Sequence, residues 1–179
     1  MELLDVLERS YAHSERVIAR VSSDDFDRPT PCPEWNVRAL LDHYIGAVAM
    51  FPGMLRGEQP DVSGDNVGSD PTASFRAAVA ENLEAWRAPG ALDTPVGAMP
   101  GVKLVELNLC DALVHTWDLA TATDQDPTLP EDLAEVGFAL VSAWPLDASR
   151  SMGAFGPEVP VAADAPATDR LVGLVGRQP

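Results

Sequence analysis

Apolar positions recur at steps of three and four along most of this chain, the signature of helices with one buried face. Over residues 2–21 the repeat runs through Leu4, Leu7, Tyr11, Ser14 and Ile18. A second helix is predicted from about Glu34 to Phe51, with Val37, Leu40, Leu41, Tyr44, Ile45 and Val48 facing inward. Pro33 suits its start, where a missing N–H is no loss, and Pro52-Gly53 marks its predicted stop. Further helices are predicted over about 72–87, 102–121, 130–144 and 168–175. Between them lie the breaker-rich stretch 22–33, a polar loop over 57–71, an irregular or extended link at 91–101, and a proline-punctuated segment from Phe155 to Val161. A loop as long as 57–71 inside a compact domain is usually functional or mobile. The pattern predicts an all-α fold: a four-helix bundle with an additional helix and an irregular C-terminal tail.

Composition narrows this picture. A chain of 179 residues with 46% hydrophobic content is expected to fold as a single domain over 1–179, burying roughly 70% of its unfolded surface. The net charge of −16 argues against nucleic acid and anionic membranes as partners, because phosphate-binding faces need clustered Lys and Arg. Lys103 is the single lysine, and the arginines are scattered. The first twenty residues are charged and amphipathic, unlike a signal peptide, and no apolar run approaches the ~18 residues of a membrane span. Two cysteines, Cys32 and Cys110, are too few for a disulfide framework, so a reducing, cytoplasmic location is expected.

The candidate chemistry rests on histidines. Of three in the chain, His43 and His115 fall inside apolar helical patterns, and Asp111 precedes His115 by four residues. At about 100° per residue, Asn108, Asp111, His115 and Asp118 share a stripe about 80° wide, flanked by Leu104, Leu107 and Val114. An ionised Asp buried there needs compensation. A divalent cation held by two imidazoles and one carboxylate, His43, His115 and Asp111, would supply it and keep a coordination position open. A plain Asp–His hydrogen bond between helices would also satisfy the carboxylate. Asp118 is a candidate fourth ligand, an acceptor orienting an imidazole, or a structural acid, and Asn108 is a candidate for orienting ligands or substrate. Asp42 is expected to face solvent, and His13 to be a surface or helix-packing residue. Trp35 and Trp117 read as core anchors and Cys110 as an inert buried thiol. Cys32 lies in a Thr-Pro-Cys-Pro loop at a helix start, where a thiol pKa can fall, but has no evident histidine partner in sequence. GxSxG, GxGxxG and P-loop motifs are absent, and Asp61-Val-Ser-Gly-Asp lacks the spacing of a calcium loop.

Three segments together resemble a known family: Thr30-Pro-Cys-Pro-Glu-Trp-Asn-Val-Arg-Ala-Leu-Leu-Asp-His43, Asp111-Ala-Leu-Val-His115-Thr-Trp-Asp-Leu-Ala, and Phe155-Gly-Pro-Glu-Val-Pro-Val with Gly176-Arg-Gln-Pro. They are similar to an actinobacterial metal-binding family of the DinB/YfiT-like superfamily, related to the mycothiol-dependent maleylpyruvate isomerase N-terminal domain. The resemblance implies a DinB-like four-helix bundle with one divalent metal ion, zinc or nickel, between helices. It makes His43 and His115 ligands and sets Asp111 where isomerase-type enzymes carry glutamate, so that the shorter side chain reaches the metal directly or through water. It also implies mycothiol, or another low-molecular-weight thiol, as co-substrate. The separate C-terminal domain of maleylpyruvate isomerases is not expected here, nor is that activity. The expected function is a metal-dependent thiol S-transferase, monomer or homodimer, joining the thiol to a small electrophile. A non-catalytic metal- or small-molecule-binding bundle, a metal-assisted hydrolase and a metal-free bundle acting through protein contacts are the alternatives.

Overall fold

Seven α-helices form among the described residues, 2–33, 35–58, 65–97 and 99–179, of the computed structural model. They are α1 (Leu3–Ile18), α2 (Val37–Leu55), α3 (Pro71–Arg87), α4 (Gly101–Ala122), α5 (Glu131–Ser142), α6 (Leu146–Ser151) and α7 (Ala167–Leu174). A minimal antiparallel pair, β1 (Pro95–Val96) and β2 (Met99–Pro100), leads into α4. The fold is all-α. Helix α1 packs on α3 and α4, and α2 packs on the same two, which closes the four-helix core. Helices α5 and α7 pair with each other and cover the remaining side of α4. No helix among the described residues is long and apolar enough to cross a membrane.

Capping fixes where two of these helices begin. The Asn36 side chain accepts the Ala39 N–H at the start of α2, and Asp70 accepts the Ala73 N–H ahead of Pro71 in α3, each satisfying a donor that the first turn leaves open. Helix α4 is the axis of the molecule: from Val114 to Ala120 every residue is buried, because helices cover it on both sides. The polar side chains of that stretch, His115, Thr116 and Asp118, have therefore left water and need partners.

Two departures from the predictions have physical causes. Helix α2 does not stop at Pro52 but continues to Leu55. Proline cannot donate to the carbonyl four residues back; that carbonyl, on Val48, accepts instead from the buried Asn82 amide at 2.8 Å. Asp42 does not face open solvent: its Oδ1 accepts the Asn66 N–H at 2.7 Å, and Asn66 Nδ2 donates to the Asp42 carbonyl at 3.3 Å. This ties the end of the polar loop to α2. Residues 59–64 of that loop, including most of the calcium-like motif, lie outside the described residues.

The C-terminal tail is more ordered than predicted. It contains α6 and then folds back along α7, with the Gly156 N–H donating to the Val175 carbonyl and the Val159 N–H to the Gly173 carbonyl. Arg150 adds bonds to the carbonyls of Gly156 and Leu174. Gly176 has φ +90°, and a Cβ there would lie 2.5 Å from the Gly156 Cα, so both conformation and space require glycine. This close approach delivers the next residue, Arg177, to the face of α4.

Candidate metal centre

Four segments converge on His115. Helix α4 carries Asp111, His115 and Asp118, and α2 carries His43. The loop before α2 carries Cys32 and Trp35, and the C-terminal tail carries Arg177. The loop is pinned by Thr30, whose hydroxyl donates to the Trp35 carbonyl at 2.8 Å and accepts the Cys32 N–H at 3.1 Å. The Cys32 thiol is thereby held 3.3 Å from Asp118 Oδ2, to which it donates.

Asp118 is fully buried and fully engaged. Its Oδ1 accepts from Arg177 Nε at 3.1 Å, and its Oδ2 accepts from Arg177 Nη2 at 2.9 Å. The same Oδ2 lies 3.1 Å from His115 Nδ1. A carboxylate held by a two-point guanidinium contact stays ionised and accepts only, so Nδ1 carries a proton and Nε2 is the ring atom left for another partner. Burial would raise the Asp118 pKa, but its bonds to His115 and Arg177 outweigh this and hold it below the usual carboxylate range. Of the roles open to Asp118 in the sequence, its bond to His115 is that of an acceptor orienting an imidazole, and its place beside Cys32 and His115 is also that of a ligand.

Asp111, one turn on the other side of His115, is the opposite case. It is half-buried and accepts no hydrogen bond from any described residue. Burial pushes its pKa up, against the opposing pull of His115 and Arg177. The two imidazoles meet edge to face, with ring centroids 5.1 Å apart and planes at 88°. They are poised differently. Burial would lower the His115 pKa, but hydrogen bonds to Asp118 and Cys32 and the nearby carboxylate charges raise it to about 9. His43 falls to about 4, through burial against its neighbours and then through repulsion from His115. Two cations cannot share this space, and the single charge sits where the carboxylates are.

His43 keeps an exposed edge at a cleft of about 310 Å³ lined by Trp35, Ala39, Asp42, Gly46, Ala47 and Met50. The Trp35 ring lies 4.4 Å from His43 and tilted by 33°, so Trp35 shields the histidine and is only partly a core anchor. Trp117 is buried. The Cys110 thiol is buried in α4, and burial pushes its pKa far up, leaving it inert at neutral pH.

Of the three ligands expected from sequence, His43 and His115 meet edge to face, and Asp111 lies close enough to His115 to raise its pKa, but the ligand atoms that gather within 4.8 Å among the described residues are those of Cys32, His115 and Asp118. Asn108 points elsewhere. Its Oδ1 accepts from Asn82 Nδ2 at 3.0 Å and Trp86 Nε1 at 3.1 Å, stitching α4 to α3, while its buried Nδ2 has no partner among the described residues. His13 lies apart on α1, 3.1 Å from Arg16. Cys32 and Arg177 were not selected from sequence. They sit 86 and 59 residues from Asp118, beyond any local periodicity. Cys32 also has the histidine neighbour that its sequence context lacked.

Among the described residues, Cys32, His115 and Asp118 present ligand atoms within 4.8 Å of one another, a possible metal site. A thiol, an imidazole and a carboxylate are residue types that bind divalent ions.

Comparisons with known proteins identify the family. Residues 7–120 match the model of the family described as mycothiol maleylpyruvate isomerase N-terminal domain. The uncharacterized protein Rv0738 of Mycobacterium tuberculosis strain H37Rv is 31% identical over 167 residues, which cover 90% of each chain. The uncharacterized protein MT0763 of M. tuberculosis strain CDC 1551 matches to the same extent. No solved structure matches. With nearly two thirds of its length matched by the family model and most of the rest by these relatives, the chain belongs to the mycothiol maleylpyruvate isomerase N-terminal domain family, within the DinB-like superfamily.

Proposed function

We propose that residues 1–179 act as one domain, a cytoplasmic metal-dependent thiol S-transferase in which His43, Asp111 and His115 hold one divalent ion, zinc or nickel. Its substrates are a low-molecular-weight thiol of the mycothiol type and a small electrophile. The observation that carries this reading is the contrast between the two acids of α4: Asp118 has its oxygens engaged, while the Asp111 carboxylate accepts no hydrogen bond from the described residues. A carboxylate in that state, close enough to His115 to act on its charge, while His115 meets His43 edge to face, is a ligand in waiting.

When bound, the ion supplies a Lewis acid that turns a thiol, whose free pKa is about 8.5, into thiolate at neutral pH. The protein's own residues do the rest. Asp118 holds the Nδ1 proton of His115 and fixes the ring, which would leave Nε2 as the nitrogen for a ligand. His43 is neutral at pH 7 and coordinates without first losing a proton. Trp35 covers one face of His43 and limits water on that side. The cleft beyond His43 has small and apolar walls at Ala39, Ala47 and Met50, with room for the electrophile.

The test is thiol-dependent consumption of an electrophile by zinc- or nickel-loaded protein, run beside metal content. Wild type is expected to hold about one ion per chain and to consume the electrophile only with thiol present. His43→Ala and His115→Ala are expected to lose both ion and turnover while keeping their helical content. Stoichiometric metal without any thiol-dependent turnover would favour a binding role instead, and stoichiometric metal in either variant would remove that residue from the ligand set.

A further inference from the structure

The cluster around Asp118 has the donors of a metal site and already holds a cation. Cys32, His115 and Asp118 stand with ligand atoms within 4.8 Å, and the Arg177 guanidinium lies against two of them. Its Nη2 is 2.9 Å from Asp118 Oδ2 and 3.1 Å from Cys32 Sγ, and its Nε is 3.1 Å from Asp118 Oδ1. The Arg177 side chain is 10% exposed and that of Asp118 is not exposed at all. Its Nη1 is used as well, donating to the Val175 carbonyl at 3.2 Å. The Gly156–Gly176 contact fixes the backbone that carries it.

We infer that Arg177 is the resident cation of this cluster and determines which donors around His115 a divalent ion takes. A guanidinium paired at two points with a buried carboxylate is a rigid, permanently charged occupant. A metal ion entering among Cys32, His115 and Asp118 would meet that charge at contact distance and would have to displace it from a buried counter-ion. The edge of His115 that meets His43 has no guanidinium at hydrogen-bond distance among the described residues, and Arg177 acts on Asp111 only through its charge, with no hydrogen bond. Arg177 thus keeps Asp118 as an orienting acceptor, keeps the Cys32 thiol out of coordination, and directs the ion to the all-nitrogen and oxygen set. This last step rests on the metal centre proposed above. The exclusion itself does not. Without the guanidinium, a thiol, an imidazole and a carboxylate are left open together, a set suited to zinc or cobalt(II).

Cobalt(II) titration followed by near-ultraviolet absorption tests this, because thiolate coordination gives a charge-transfer band that imidazole and carboxylate do not. Wild type is expected to bind cobalt without the band. Arg177→Gln is expected to gain it, the Cys32 proton passing to solvent as sulfur binds cobalt, and Arg177→Gln/Cys32→Ser to lose it again. A thiolate band in wild type overturns the inference, as does a folded, cobalt-loaded Arg177→Gln without one. Cys32→Ser alone keeps the idea testable should Arg177→Gln fail to fold. Its cobalt affinity is expected within about twofold of wild type, and a fall beyond about tenfold, the effect of losing a ligand or its support, would overturn the exclusion. Wild type that takes up no cobalt while Arg177→Gln shows the band would sink the His43–Asp111–His115 centre and leave the role of Arg177 standing.

Discussion

Asp111 and Asp118 lie on the same helix, four residues before and three residues after the same histidine, yet they exist in opposite states. Asp118 sits where the loop before α2 and the C-terminal tail both arrive, and it collects a thiol, an imidazole and a guanidinium. Asp111 sits where no hydrogen-bond donor from the described residues reaches it, and its nearest charged influences are His115 and Arg177. Helical spacing treats the two acids alike. What separates them is what other segments deliver: Asp118 is tied into the structure, and the proposed centre assigns the chemistry to Asp111.

The sharpest way to break this contrast is to remove each carboxylate in turn. Asp118→Ala leaves the buried Arg177 unpaired, and loss of one partner of a buried ion pair typically destabilises by about 3–5 kcal/mol. Asp111→Ala removes a half-buried acid with no hydrogen bond to lose and is expected to shift stability by less than about 1 kcal/mol. Urea unfolding of the metal-free proteins measures both. Comparable losses in the two variants would erase the distinction.

Acidity sharpens it next. His115 has its pKa raised from 6.5 to about 9, so its stabilising contribution is complete below about pH 6.5 and is lost as pH rises through about 9. His43 is lowered from 6.5 to about 4, so protonating it opposes folding, and stability falls as pH drops from about 6.5 toward 4. These two groups place the stability maximum of the metal-free protein near pH 6.5, and His115→Gln is expected to flatten the alkaline limb. An alkaline limb unchanged in that variant would show that His115 is not the proton held by Asp118. Metal binding then releases the His115 proton and none from His43 at pH 7, so the apparent affinity is expected to rise with pH toward about 9. Calorimetry in buffers of differing ionisation enthalpy reads that proton directly.

The smallest expected effect is that of Cys32→Ser. The thiol's bond to Asp118 is long, at 3.3 Å, in a cluster already satisfied by Arg177, so stability should change by less than about 1 kcal/mol. A larger loss would mean that the thiol, rather than the guanidinium, holds Asp118 in place.

Much of the fold was legible because helix periodicity is a local property. The bundle and the burial of the stripe bearing Asn108, His115 and Asp118 follow from spacing alone. The misses arose where distant residues override local rules. Pro52 reads as a stop, but Asn82 on another helix satisfies the carbonyl that proline abandons. Helix α6 buries none of its residues and therefore leaves no apolar period to detect. Asp42 points off the core as its helical position requires, yet Asn66 folds over it. In the candidate centre, His43, Asp111, His115 and Asp118 were visible as residue types on helical faces. Cys32 and Arg177 were not, because their roles come from a pinned loop and a tail whose closure depends on two glycines meeting.

The most direct test of the central claim is a competition titration of zinc into metal-free wild type, Asp111→Asn and Asp118→Asn. The account predicts about one tight zinc in wild type and none in Asp111→Asn. It predicts one zinc still bound in Asp118→Asn, weakened about 10–100-fold by loss of the group that orients His115. Zinc lost from Asp118→Asn but retained at full affinity by Asp111→Asn would contradict the account and place the ion among Cys32, His115 and Asp118.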